Sequence, residues 1–551
     1  MKSTPNNTAA LKLLVLSAIF LIAACSQGGG SSRSQISSTP PPPPPPTNSG
    51  PVWTQGQFQS ASIFKNRCEV VRTGTDIEGN RFPDLPGSAL EEKFWLRSWT
   101  NETYLWNTEV VDQDPTGFAD RLSYFEVLKT TATTPSGEDK DDFHFSQSTE
   151  EFLAARTSTP APRYGVSLDI VSDTPPRNYR VRYTEPGSPA ATVVNGKPNF
   201  IRGTRILEID GIDFVNTRDQ AEIDTMFEAF FDAPANEPHT FLVEDADGDR
   251  RTVTMSRENL APKPVNRTRI INTPTGRVGY MLINTFSPFE SERDIANAFS
   301  TIAAQGVSDL VLDLRYNGGG LLATASQTAF MIAGSSRTSG RDFERLRFNA
   351  NAGNRNPVTG EINEATPFFE EGLGFTLARG TDLTSLNLPR VFILTTERTC
   401  SASEAIINGL RGIFVDVIVI GDTTCGKPFG FFPQDNCGET YFTIQFQGVN
   451  DLGFGDYTDG FIPENSSAQF GVRAPGCAIE DDFNNELGDE SEALLSAALF
   501  YQDTGACPSP PPSATAKASL SLKRANTVAA NPRGARQLSV METNRDMTMP
   551  E

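Results

Sequence analysis

The chain has 551 residues and a formal net charge of −21. Such an acidic balance argues against a nucleic-acid-binding body, and the length exceeds one ordinary core, so two or three domains are expected. Only two histidines, His144 and His239, are present. A hydroxyl nucleophile would therefore need another base, and a desolvated lysine can be one.

The N-terminus begins with Lys2 and Lys12, then runs apolar from Leu13 to Ala24 except at Ser17. That run is short for a membrane span and suits the core of a signal peptide. Leu21-Ile22-Ala23-Ala24-Cys25 resembles a bacterial lipobox. The resemblance implies a signal peptide over 1–24, cleavage before Cys25 and lipid attachment to its thiol. Ser26 after the cysteine resembles the outer-membrane sorting pattern, so the expected location is the bacterial cell envelope, lipid-anchored at the outer membrane and facing the periplasm. Residues 25–60 are Gly/Ser-rich and carry Pro40–Pro46; this composition favours an extended tether. Six further cysteines follow: Cys68, Cys400, Cys425, Cys437, Cys477 and Cys507. An even set in an exported chain suits disulfides, and Cys425 with Cys437, close in sequence, is the expected local pair. No Cys/His cluster has zinc spacing, so neither metal nor cofactor is expected.

Residues 61–160 read as an N-terminal helical domain. Leu96, Trp99, Thr103 and Trp106 share one helical face, as do Phe118, Leu122, Phe125 and Leu128. His144 alternates with Phe143 and Phe145 and reads as a polar strand position. From 163 to 258 the pattern turns to strands, with one helical run near Ala221–Phe231 and an Asp-rich hairpin tip at Asp245–Asp249. This order resembles a PDZ domain. Tyr164, Gly165, Val166 and Ser167 fall where that family has its carboxylate-binding loop, whose amides and adjoining strand edge can take a peptide C-terminus.

From 265 to 507 strands alternate with helices. Leu310-Val311-Leu312 is a continuous apolar run, as a strand covered on both faces requires, and the alternation implies a largely parallel sheet. The fold class expected is multidomain α/β and α+β: helical domain, PDZ-like β-rich domain and α/β core. Residues 337–385 are polar and weakly patterned and read as an insertion. Residues 508–551 hold six basic and three acidic residues and few apolar ones, and read as a disordered tail.

Chemistry concentrates in three stretches. Asp313-Leu314-Arg315-Tyr316-Asn317-Gly318-Gly319-Gly320 follows a strand, Thr399-Cys400-Ser401-Ala402-Ser403-Glu404 opens a helix, and Gly421 to Lys427 follows another strand. The last matches the opening of a phosphate-binding loop, but Pro428 stands where the magnesium-binding hydroxyl belongs, so no nucleotide is expected. Taken alone, Ser401 and Ser403 are each good helix caps, and Lys427 reads as a turn lysine.

The three stretches, with Gly460-Phe461-Ile462-Pro463 behind them and a PDZ-like segment ahead, resemble the tail-specific or C-terminal processing peptidases. The resemblance implies a serine-type endopeptidase acting on exported proteins or peptides, in which Ser401 is the nucleophile and Lys427 the general base. Backbone N–H groups of Gly319 and Ala402 would form the oxyanion hole. Phe429, Phe431 and Phe432 are the expected apolar wall around the lysine. Phe431 stands where the family often has a glutamine, so Gln434 is the candidate third catalytic group. The alternative is an inactive membrane-tethered protein that binds peptides through the PDZ-like segment.

Overall fold

The computed structural model describes residues 50–157, 159–509, 545–547 and 549; the expected signal peptide, Cys25 and Pro40–Pro46 lie outside them. The expected α/β core is present. Its central sheet runs in the order Val265–Thr273, Gly276–Ile283, Asp309–Asp313, Arg390–Thr395, Asp416–Gly421, Gly476–Ala478. The first pair is antiparallel and every later pair parallel.

The apolar runs predicted as buried strands are buried because both faces are covered. Val391 and Ile393 point into one cluster, with Phe299, Ala329 and Ile406 from the helices Glu290–Ala303, Leu322–Ala333 and Ala402–Gly412. Phe392 and Leu394 point into the other, with Leu494, Leu495 and Ala498 of the helix Ala493–Thr504. Alternate side chains of one strand thus serve two layers. In such sheets the loops at the carboxyl ends of the strands form the crevice where ligands bind. The three stretches singled out by sequence leave the carboxyl ends of three neighbouring parallel strands, Asp309–Asp313, Arg390–Thr395 and Asp416–Gly421.

The PDZ-like segment forms its own sheet, ordered Arg250–Ser256, Pro238–Glu244, Arg205–Ile209, Asn178–Thr184, Val166–Ser172. Phe200, Ile206, Met226, Phe241 and Val243 form its core. Val166–Ser172 is an edge strand. The segment docks on the α/β core through Arg202, ion-paired to Asp481 at 2.7 Å, and through Tyr183 stacked on Tyr316. Arg398, in the loop before Ser401, reaches Asp169 of the edge strand at 3.6 Å.

The N-terminal segment departs from its prediction. Its long helix is Ala89–Thr103, started by Ser88, whose Oγ accepts from Glu91 N–H. Trp106 lies beyond its end, and the second helical face shrinks to Arg121–Phe125 with Leu122 exposed. Residues 53–57, assigned above to the tether, are folded: Arg97 donates to the carbonyls of Thr54 and Gln57. Nor does the segment stand apart. Phe145–Ser148 pairs with Glu439–Phe442 of the core, and Tyr441 packs on Trp95, Trp99 and Phe125.

One further expectation is corrected, and two segments carry more structure than their composition suggests. Cys425 does not bond Cys437; the disulfides are Cys68–Cys437, Cys400–Cys425 and Cys477–Cys507. Cys437 sits at positive φ in the turn between Gln434–Asn436 and Glu439–Phe442, facing the N-terminal segment, whereas Cys425 N–H is held on Thr399 O at 3.0 Å. Closeness in sequence says little about whether two Cβ atoms face each other. The supposed insertion contributes a strand, Asp342–Phe348, paired with Phe446–Val449, and its Phe368 and Leu383 join the main core. In the tail, residues 510–544 lie outside the described residues, but Arg545–Asp546 form a strand paired with Gly320–Leu321.

Candidate active site

Ser401 stands between the strand Arg390–Thr395 and the helix Ala402–Gly412, at φ 60° and ψ −114°. A non-glycine residue held there costs on the order of 1–3 kcal/mol. A strained strand–turn–helix of this kind presents the nucleophilic serine in α/β-hydrolases. Its Oγ is buried and has no hydrogen-bond partner among the described residues, so it is not spent on capping the helix. Ala402, the first helical residue, has an N–H with no acceptor inside the helix, directed where the helix dipole favours negative charge.

One carboxylate gathers the other parts. Glu404 Oε2 accepts from the backbone N–H of Ser401 at 2.9 Å and of Lys427 at 2.8 Å. Its Oε1 accepts from Thr424 Oγ at 2.6 Å and from Gly426 N–H at 2.8 Å. The backbones of the predicted nucleophile and base therefore meet on a single oxygen. Burial pushes the Glu404 carboxyl above its ordinary range, against the pull of these four donors. The disulfide Cys400–Cys425 ties the same two loops beside the carboxylate.

The loops are braced from behind. Gly426 has φ +82°, and a Cβ there would meet Thr458 O at 2.2 Å, so the lysine loop runs against the 457–461 loop with no room for a side chain. Phe461 N–H donates to Thr424 Oγ at 2.8 Å. That contact gives Gly460-Phe461-Ile462-Pro463 a physical role. Asn317 holds the glycine loop: its Nδ2 donates to Ile283 O, and its carbonyl accepts from Cys400 N–H and Ser403 Oγ. Its Oδ1 accepts from Gly319 N–H at 2.9 Å. Gly319 would have to exchange that bond to serve an oxyanion, whereas Ala402 would not.

Lys427 is wholly buried. Its Nζ lies 4.5 Å from the ring centre of Phe143 and 4.8 Å from that of Phe431. Of the expected wall only Phe431 takes part; Phe429 packs on Trp106 and Phe432 on Phe348 and Phe446. Phe143, from the N-terminal segment, was not foreseen. Gln434 is turned away, donating to Pro433 O. The glutamine held against this strand is Gln445, whose Oε1 accepts from Phe432 N–H and whose Nε2 is buried without a partner among the described residues. His144 is structural: it stacks on Phe125 and contacts Phe125 O at 2.8 Å and Thr443 Oγ at 3.1 Å. At the PDZ-like loop, Tyr164 OH donates to Ala229 O, Gly165 takes φ +71°, and Val166 and Ser167 begin the open edge strand.

The α/β sheet thus carries a strained serine at its carboxyl edge and a buried lysine in the neighbouring loop. Residues 277–434 match Peptidase family S41. The chain is 28% identical over 191 residues to the "C-terminal processing peptidase, chloroplastic" of Tetradesmus obliquus, covering 32% of this chain and 39% of that protein. It is 29% identical over 184 residues to the "Carboxyl-terminal-processing protease" of a Picosynechococcus strain, covering 33% of this chain and 41% of that one. The match thus spans about two fifths of these relatives. A solved protein of Bacteroides fragilis NCTC 9343, described as an S41 protease, superposes with a TM-score of 0.55 at 22% identity, over 75% of this chain and 97% of that one; this shows a shared fold. Residues 277–434 therefore carry the S41 pattern, and the chain is similar there to the C-terminal processing peptidases.

Proposed function

We propose that the chain is a serine-type endopeptidase working through a Ser401–Lys427 dyad. The observation that carries this reading is the convergence of Ser401 and Lys427 on Glu404, with Ser401 Oγ unpartnered and Lys427 enclosed by aromatic rings. Lys427 Nζ takes the proton of Ser401 Oγ as that oxygen attacks the carbonyl carbon of a peptide bond. The oxyanion forms at Ala402 N–H, joined by Gly319 N–H once it leaves Asn317. Collapse breaks the C–N bond, the proton passes to the leaving amine, and water then hydrolyses the ester on Ser401. A base must be a neutral amine, and desolvation is the general means by which a lysine supplies one.

Ser401→Ala and Lys427→Ala should each abolish peptide cleavage in a folded chain, and the double variant should be no more impaired than either single one, as for groups acting as a unit. Full activity in either single variant would reject the dyad. The peptide-binding alternative predicts that a serine-directed covalent probe fails to label Ser401.

Within this reading, exported proteins or peptides are the substrates, and the loop Tyr164–Ser167 with its open edge strand reads their C-termini. Amidation of a substrate should then weaken capture by about 1.5–3 kcal/mol, the worth of hydrogen bonds to a charged group; equal capture of acid and amide would reject tail reading. Cys25 is the proposed lipid anchor at the envelope membrane. Mass spectrometry of the mature N-terminus tests it, an unmodified start elsewhere counting against it.

A further inference from the structure

The strand Gly320–Leu321 continues the glycine loop that follows the catalytic sheet. Along one side it is held by Phe286: Leu321 N–H donates to Phe286 O at 3.2 Å, and Phe286 N–H donates to Gly319 O at 2.8 Å. Gly320 has φ +131°, and a Cβ there would meet Ser287 N at 2.2 Å, so the strand is pressed against this neighbour. Its other side takes Arg545–Asp546 in parallel register, Gly320 opposite Arg545 and Leu321 opposite Asp546. The same two tail residues also run beside Phe429–Gly430, the strand that leaves Lys427. Next in the tail, Met547 is half-buried against the main apolar cluster, which includes Ala402 beside Ser401. The tail therefore lies between the segment that follows Gly319 and the segment that follows Lys427, while Ser401 has no exposed surface.

An extended peptide paired by its backbone to an open strand, with an apolar side chain seated beyond the pair, is the way a sheet edge captures a peptide. We propose that Gly320–Leu321 and Phe429–Gly430 bound the groove for the substrate's main chain, and that residues 545–547 of this chain occupy it as an internal competitor. The inference rests on the peptidase reading for what the groove serves, but not for the docking itself. It assigns the groove an extended segment running parallel to Gly320–Leu321, with an apolar residue immediately after the paired ones. A tethered segment competes at an effective concentration of about millimolar. A short strand of modest affinity would then block half to nine tenths of the sites, lowering apparent affinity by the free fraction.

Two full-length variants test this. Met547→Asp puts a charge where an apolar side chain is seated. It should raise kcat/KM for a peptide substrate about two- to tenfold through a lower KM, with kcat unchanged and thermal stability retained. For a readout independent of catalysis, a fluorescein-labelled peptide of residues 541–551 is titrated by anisotropy into the Ser401→Ala, Met547→Asp chain, and should bind and be displaced by unlabelled substrate. Unchanged KM together with no peptide binding overturns the proposal. Binding without cleavage by any form would support the docked tail and overturn the peptidase reading; cleavage with neither binding nor a change in KM would do the reverse.

Discussion

Glu404 gives the sharpest test of how the site is held. Its two oxygens receive four hydrogen bonds, three from backbone N–H groups and one from Thr424 Oγ, and the side chain has no exposed surface. All four partners donate, so the form that satisfies them is the carboxylate. In Glu404→Gln one oxygen becomes an NH2 group, and either orientation sets it against two donors. Two hydrogen bonds to a charged acceptor are lost, each worth about 1.5–3 kcal/mol, so about 3–6 kcal/mol is at stake before relaxation. That is a large part of the 5–15 kcal/mol or so that holds a typical domain together. Relaxation would part the Ser401 and Lys427 loops, and a misplacement of about 1 Å can cost on the order of 100-fold in rate. The assay pairs urea unfolding with the rate of Ser401 labelling by a covalent probe. The expected result is a stability loss of several kcal/mol and a labelling rate down by about two orders of magnitude. A variant within about 1 kcal/mol of wild type that labels at the same rate would refute the positioning role.

Two other expectations are direct. Peptide mapping without reduction should recover Cys68–Cys437, Cys400–Cys425 and Cys477–Cys507; a Cys425–Cys437 cross-link would contradict the loop arrangement, and removing Cys68 with Cys437 should cost about 2–5 kcal/mol. His144 is buried, and burial holds its imidazole below the ordinary 6.5 despite Asp141 nearby. The unfolded chain then takes up this proton before the folded one does, so His144 contributes stability above about pH 6.5 that is lost as pH falls; His144→Gln should flatten that acid-side decline in Tm, and an unchanged slope would count against it.

Much of the core was legible in the sequence because it is local. The buried run at Leu310–Leu312 and the alternation of strands with helices follow from local apolar patterning. The serine and lysine stretches stand at strand ends, where α/β sheets place their sites. Glu404 escaped notice for a physical reason: an acidic residue in the first turn of a helix is commonplace, and three of its four partners come from a loop some twenty residues away. Phe143 escaped because its contact with Lys427 crosses the whole PDZ-like segment. The two helical faces, Leu96–Trp106 and Phe118–Leu128, are partly right: helices span Ala89–Thr103 and Arg121–Phe125, while Trp106 and Phe118 pack from turns, where aromatic spacing mimics helical periodicity. The tail's strand could not be foreseen, since pairing supplied by another segment leaves no mark on composition.

The N-terminal segment is better seen as a wall of the proposed active site than as a separate domain. Trp106 packs edge-on against Phe429 with ring centres 4.7 Å apart, Cys68 is bonded to Cys437, and Phe143 lies against Lys427 Nζ together with the core's own Phe431. Two opposed effects meet at Phe143. Its ring face attracts a cation by about 0.5–2 kcal/mol, while its bulk keeps out the water that would solvate one. Keeping out water is the larger effect for a wholly buried amine, because losing hydration can cost a charged group several kcal/mol. Phe143→Ala should therefore admit water and slow cleavage on the order of tenfold, within the span general-base catalysis commands. Phe143→Leu, which fills the space without a ring face, should keep most of the activity. If Leu and Ala are equally slow, the ring face and not the dryness of the pocket governs Lys427. If both match wild type, the N-terminal segment has no hold on the base, and its part in the site reduces to bracing the Glu439–Phe442 strand.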